Sequence, residues 1–185
     1  CTLVRGLKVV SVGTGGDSCV WVENGRVKVG PGRNGPPACM GGSTPTPMDA
    51  FSVLGEFGMG DTAGASDSIR PLAESLGRDI GEFSREVIAV VVENIRDKVN
   101  EFIDSVNRHP VYTIHEMLHP ELVKPDRVIL IGGPAHILKP YIADALGLAC
   151  EVPGHATVAN ALGAALARTT AQITLHADTH ISRVV

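Results

Sequence analysis

The sequence predicts an α/β fold, and three observations support this prediction. First, Asn24-Gly25 separates two short runs rich in β-branched residues, which is a strong signal for a β-hairpin. Second, apolar residues recur at three- and four-residue steps from Phe83 to Val106, which predicts a long amphipathic helix. Third, residues 127–168 alternate strand and helix patterns twice, which predicts a right-handed parallel crossover.

The first part of the chain is predicted to form strands and then a loop. A three-stranded meander is expected over residues 8–29, with a glycine turn between its first two strands. Residues 30–47 carry five prolines and five glycines, which predicts a loop with a fixed conformation. Thr46 is suited to cap a short helix that has Pro47 at its first position and ends near Gly55.

The remaining elements follow from helix caps and apolar runs. Ser66 or Asp67 is suited to cap a second helix that runs to Leu76 and precedes the long helix. The apolar run that ends at Ile131 predicts a strand covered on both faces. After it the sequence predicts, in order, a glycine turn at 132–134, a helix to Leu146, a strand at 148–152, a helix at 156–168 and one added strand within 171–185.

The composition restricts the function classes. Hydrophobic residues make up 44% of the 185 residues and charged residues 19%, which excludes a disordered chain. The formal net charge of −4 and the lack of basic runs argue against a nucleic-acid partner. No apolar stretch has the length of a membrane span, and the four widely spaced cysteines favour reduced thiols. We therefore expect a cytoplasmic protein that binds neither nucleic acid nor membrane.

Two glycine turns are candidate ligand sites. Glycines at 13, 15 and 16 allow positive φ angles, and the N–H groups of such a turn can converge on a phosphate, with Asp17 or Ser18 adding a polar contact. Gly132-Gly133 follows a predicted strand and opens a helix, which is where open α/β sheets place ligands. A tight hairpin at the first turn and close helix–strand packing at the second explain the same glycines without a ligand.

Several motifs resemble, in the same order, those of the hydantoinase A/oxoprolinase family. The resemblance covers most of residues 9–108 and 127–168. The motifs are the serine-led glycine turn at 11–18 with the Trp21 strand after it, Val29-Gly30-Pro31, Gly35-Pro36-Pro37-Ala38-Cys39, Pro45-Thr46-Pro47-Met48-Asp49-Ala50 and Ile131-Gly132-Gly133-Pro134-Ala135.

The resemblance implies an actin-like ATPase (ribonuclease H-like) lobe with a β-meander, a long surface helix and a βαβα unit. The whole of 1–185 would form one lobe with four parts, namely 1–60, 66–108, 127–170 and a tail at 171–185. Family members carry Asp-led phosphate turns upstream of these motifs, and this sequence has none. We therefore expect a C-terminal fragment of a longer enzyme or a short member of the family.

The resemblance also implies an activity. The parent enzyme would use ATP with Mg²⁺ to phosphorylate a carbonyl, and would then open a cyclic amide, as in hydantoin utilization, or carboxylate a ketone. It would act as an oligomer or with a partner subunit. The catalytic residues are not identified. The nucleotide would contact Gly13, Thr14, Gly15, Gly16, Asp17, Ser18, Gly132 and Gly133. Asn160 is a further candidate contact because it lies on a helix of small residues that can approach a nucleotide closely, although tight helix packing at Gly163 and Ala164 explains the same pattern without a ligand.

Cys39, Asp49 and His136 are a candidate metal set. A thiolate, a carboxylate and an imidazole suit Zn²⁺ and leave a fourth position for water or substrate. Cys39 and Asp49 fall on motif positions of the family. The alternative is a buried thiol, an aspartate that interacts with a helix dipole, and an exposed histidine.

Two other functions stay open. The first is a non-catalytic actin-like protein that binds a nucleotide or a partner, which the missing phosphate turns favour. The second is a zinc hydrolase, because His115-Glu116-x-x-His119 matches a zinc-protease motif. Pro120 disfavours helical geometry at His119, so a solvated loop is the better interpretation of that segment.

Overall fold

The computed structural model describes residues 8–108 and 122–167, together with two short strands near the end of the chain. Helices and strands both occur, as the sequence predicts. Within these ranges, no helix combines the length and the apolar character needed to cross a bilayer. The His115-Glu116-x-x-His119 motif lies outside the described residues, and its zinc site stays a prediction.

The first sheet is an antiparallel hairpin. Strand β1 (Val20–Glu23) pairs with β2 (Arg26–Val29) around Asn24 and Gly25, whose φ angles are 51° and 72°. Both angles are positive, as a two-residue primed turn requires, so the predicted hairpin is confirmed. The third strand of the predicted meander is not formed, because residues 8–12 run as a largely exposed segment with no strand partner in the described part of the chain.

Three helices follow the hairpin. Helix α1 spans Pro47–Val53, α2 spans Thr62–Ser75 and α3 spans Ile80–Asn107. The predicted cap of α2 is five or six residues too late, because the Asp61 side chain accepts a hydrogen bond from the Ala63 N–H and caps the helix earlier. The apolar face of α3 packs against α1, α2 and β2, and this packing forms the core of the molecule.

The last large unit has the predicted strand and helix order. Strand β3 (Arg127–Ile129) is followed by helix α4 (Ala135–Leu146), strand β4 (Ala149–Glu151) and helix α5 (Ala159–Leu166). Strands β3 and β4 pair in parallel, and α4 packs against α3.

The β3 strand is less buried than its apolar sequence predicts. Val128 and Leu130 pack towards the core, whereas Ile129 is 60% exposed and Ile131 is 54% exposed. Among the described residues, the predicted cover on both faces is therefore not formed, because the side chains of Ile129 and Ile131 remain exposed. The predicted tail strand is instead a short antiparallel pair, β5 (Ala177–Asp178) and β6 (Arg183–Val184).

Candidate functional site

The first glycine turn is closed by its own hydrogen bonds. The Gly15 N–H donates to the Ser18 hydroxyl at 2.8 Å, and the Ser18 N–H donates to the Gly15 carbonyl at 3.2 Å. Ser18 is buried, and the Asp17 carboxylate pairs with the Arg33 guanidinium at 3.2 Å. The polar groups that we predicted to contact a phosphate are thus engaged within the protein.

The glycines of this turn serve close packing. None of Gly13, Gly15 and Gly16 has a positive φ angle, so that part of the prediction is wrong. A Cβ atom at Gly13 would lie 2.9 Å from the Pro31 Cβ, and one at Gly16 would lie 2.9 Å from the Met48 Cγ. Both distances are too short for a carbon–carbon contact, so a larger residue at either position would force Pro31 or Met48 to shift.

The second glycine turn is open. Gly132 has a φ of 108°, which favours glycine, and no atom lies within 4 Å of a Cβ built at Gly132 or Gly133. The Gly132 N–H donates to the Ala156 carbonyl at 2.8 Å, which ties the turn to the segment just before α5. Asn160 in the first turn of α5 and His136 in the first turn of α4 are both exposed. The carboxyl end of β3 therefore presents bare backbone next to two helix N-termini.

One small cavity lies beside the first glycine turn. Thr14, Gly15 and Gly16 line it together with Pro134 and Leu138, whereas Gly132 and Gly133 do not. Its volume is about 120 Å³, whereas ligand pockets usually have about 300–1,000 Å³. This cavity is too small for a nucleotide, whereas the space around the Cβ positions of Gly132 and Gly133 is open.

Asp49 anchors the proline-rich loop. Its buried carboxylate accepts hydrogen bonds from the N–H groups of Ala38 at 3.1 Å, Cys39 at 2.7 Å and Thr46 at 2.9 Å, and from the Thr46 hydroxyl at 2.8 Å. Thr46 is the residue before α1, so one side chain joins the loop at 38–39 to the start of that helix. Four donors occupy the acceptor sites of this carboxylate.

The predicted metal set is not assembled. Cys39 and Asp49 are neighbours, but burial and the adjacent Asp49 raise the pKa of the Cys39 thiol from its ordinary 9.0 to about 11. His136 is exposed on α4. Across residues 8–108 and 122–167, no three His, Cys, Asp or Glu side chains are close enough together to hold a metal ion. The arrangement at 39 and 49 matches the alternative of a buried thiol beside a structural carboxylate.

The raised pKa of Cys39 predicts slow alkylation. At pH 8, a thiol with a pKa of about 11 is ionised roughly a hundredfold less than one with its ordinary value. We expect iodoacetamide to modify Cys39 in the folded protein at least a hundredfold more slowly than in urea, as followed by peptide mass spectrometry. Rapid modification of folded Cys39 at neutral pH would contradict this environment.

A larger cavity lies between the end of α1, the middle of α3 and the second half of α4. Its volume is about 660 Å³, and Tyr141 and Glu56 form part of its lining. The Tyr141 hydroxyl donates to the two Glu56 carboxylate oxygens at 2.6 and 2.8 Å. Burial and this carboxylate raise the pKa of Tyr141 to about 12. The sequence does not reveal this site, because its walls come from segments up to 91 positions apart and the apolar run 88–92 is the one local pattern that belongs to it.

The fold and the second turn define an α/β protein with an open glycine turn at the carboxyl end of a parallel strand. The sequence model of the hydantoinase/oxoprolinase family matches residues 1–173, and the chain belongs to this family. Among solved structures, the crystal structure of an ATP-dependent caprolactamase from Pseudomonas jessenii is similar, with a TM-score of 0.62 and 24% sequence identity.

That likeness covers 80% of this chain and 22% of the caprolactamase chain. It shows a shared fold, and the chain spans about a fifth of that larger protein. No curated protein matches the sequence.

Proposed function

We propose that this chain is part of an ATP-dependent enzyme that opens cyclic amides, and that its Gly132-Gly133 turn faces the nucleotide. Membership of the hydantoinase/oxoprolinase family supports the reaction class. The similar solved structure is an ATP-dependent caprolactamase, which favours a cyclic amide over a ketone as the substrate. Because the likeness covers 22% of that chain, the activity is proposed for the whole protein.

The open turn is the observation that carries this proposal. Without side chains at 132 and 133, a flat base or a sugar can approach the backbone closely. The N-terminus of the twelve-residue helix α4 adds a positive end to the same place, which suits a phosphorylated ligand. The residues present therefore fit the nucleoside side of ATP.

The roles of the chain in this proposal are binding and orientation. When bound, ATP supplies the phosphoryl group that activates the amide carbonyl, and its Mg²⁺ screens the phosphate charge. The Gly132-Gly133 backbone would position the nucleoside, and Asn160 would supply a hydrogen-bonding amide beside it. We assign no residue of the described ranges to Mg²⁺.

Substitution of Gly133 by alanine tests the proposal. Gly133 has no positive φ and no atom within 4 Å of its Cβ position, so alanine should leave the fold intact. We expect the Gly133→Ala variant of the whole protein to bind MgATP about tenfold more weakly in a calorimetric titration, because the methyl group occupies the ligand's place.

The control for this test is Gly58→Ala, a glycine in an α1–α2 loop whose Cβ position is equally open. It should bind MgATP as the wild-type protein does. Equal affinity of the Gly133 variant and the wild type would overturn the assignment of the turn.

A second candidate function is nucleotide binding without turnover. It is favoured by the first glycine turn, because this turn offers a phosphate little to bind. Its Asp17 and Ser18 side chains are engaged within the protein, and the cavity beside it has a volume of only about 120 Å³. The same titration, combined with an assay of phosphate release from ATP in the presence of cyclic amides, distinguishes the two functions. Binding with no release above background would support the second one.

A further inference from the structure

The larger cavity has the dimensions of a small-molecule site. It is bordered by Leu54 and Glu56, which follow the end of α1, by α3, and by Tyr141 and Asp144 of α4. Its volume of about 660 Å³ lies within the usual range for ligand pockets of about 300–1,000 Å³. We call it the interhelical cavity. It is separate from the glycine turn assigned to the nucleotide, since neither Gly132 nor Gly133 lines it.

One face of α3 gives the cavity an apolar floor with opposite charges at its ends. Ile88, Ala89 and Val92 form the floor, and Ile88 and Val92 are buried. Arg85 precedes them and Glu93 follows them, at spacings that place all five side chains on one helix face. At 1.5 Å per residue, Arg85 and Glu93 are separated by roughly 12 Å along the helix axis.

The charged groups at the two ends are available to a ligand. Arg85 and Glu93 are exposed, and neither forms an ion pair with another residue of the described ranges. Glu56 differs, because its carboxylate already accepts the Tyr141 hydroxyl. Asp144 adds a further carboxylate to the lining, which gives the cavity an excess of negative charge and favours a ligand that carries an ammonium group.

We propose that the interhelical cavity binds a straight-chain ω-amino acid. The ligand carboxylate would pair with the Arg85 guanidinium, its ammonium group would pair with Glu93, and its methylene chain would cover the floor. A guanidinium and a carboxylate at opposite ends of an apolar strip match a zwitterion whose charges are separated by an aliphatic chain. The opening of a lactam releases this class of compound, so a role as a product site rests on the proposed function, whereas the binding itself does not.

Calorimetric titration of the protein with three probes of equal chain length tests the proposal. The probes are 6-aminohexanoate, hexanoate, which lacks the ammonium group, and hexylamine, which lacks the carboxylate. We expect 6-aminohexanoate to bind at least tenfold more tightly than either of the other two, since each of them leaves one charged end of the cavity without a partner.

Two variants assign the ends of the ligand. Arg85→Gln and Glu93→Gln should each weaken binding of 6-aminohexanoate about tenfold, and both positions are exposed, so the fold should persist. Arg70→Gln and Glu74→Gln change the same residue types on the exposed face of α2, outside the cavity, and should leave the affinity unchanged.

Three outcomes would overturn the proposal. The first is that 6-aminohexanoate does not bind to the wild-type protein. The second is that hexylamine binds as tightly as 6-aminohexanoate, which would indicate a site for a simple organic cation. The third is that Arg85→Gln and Glu93→Gln both leave the affinity for 6-aminohexanoate unchanged. MgATP titrated into the same samples separates this result from the proposed function. If the wild-type protein binds MgATP but not 6-aminohexanoate, or 6-aminohexanoate but not MgATP, only the proposal that concerns the missing ligand is refuted.

Discussion

Replacing Asp49 by asparagine is expected to lower the free energy of unfolding by about 3 kcal/mol. The carboxylate accepts four hydrogen bonds from backbone and side-chain donors and is completely buried. An amide of the same shape has only one acceptor oxygen, and its NH₂ group would face N–H donors that then lack partners. Urea unfolding followed by circular dichroism measures the effect.

The control for this prediction is Asp67→Asn on the exposed side of α2, which should change the free energy of unfolding by less than about 0.5 kcal/mol. The structural role of Asp49 also predicts that added zinc or a chelator leaves the wild-type unfolding curve in place. A loss below about 1 kcal/mol in Asp49→Asn would contradict the anchoring role assigned to this residue.

Replacing Gly60 by alanine is expected to cost about 2–4 kcal/mol of stability. Gly60 has a φ of 89°, and a Cβ atom there would overlap the Cys39 carbonyl oxygen. That oxygen also accepts the Asp61 N–H at 2.7 Å, so it cannot move away without loss of a hydrogen bond. The new methyl group would push apart the loop that Asp49 holds and the start of α2.

Gly58→Ala provides the matched comparison two residues earlier. Its Cβ position is open and its φ is not in the left-handed region, so alanine should be neutral or stabilise by about 0.5 kcal/mol through a less flexible unfolded chain. The unfolding temperature should therefore fall in Gly60→Ala and stay the same or rise slightly in Gly58→Ala. Equal stability of the two variants would contradict the contact between Gly60 and Cys39.

The elements with strong local signals were predictable from the sequence. The hairpin turn follows from Asn24-Gly25 alone, and the long helix follows from an apolar period that continues over its 28 residues. The strand predicted at 8–12 is not formed, because a strand needs a neighbour to pair with, and none of the described strands lies beside this segment. The exposure of Ile129 was not predictable for a similar reason, since the burial of a sheet face depends on which other element covers it.

The candidate sites show a similar division. The open turn at Gly132-Gly133 was predictable from the order of strand, glycine and helix. For the glycines at 13–16 the sequence pattern predicts positive φ angles, whereas the structure explains Gly13 and Gly16 by their close packing against Pro31 and Met48. Contacts of this kind depend on residues brought close by the tertiary fold, as do the four donors around Asp49, and local pattern does not reveal them.

The contact between the nucleotide and the Gly132-Gly133 turn is the central claim, and photolabelling of the whole protein with 8-azido-ATP tests it most directly. We expect the label in peptides that contain residues 132–136 or 153–160, and excess ATP should prevent it. Labelling that ATP competes away but that falls only in other peptides, such as those that contain the first glycine turn at 13–18, would contradict the claim.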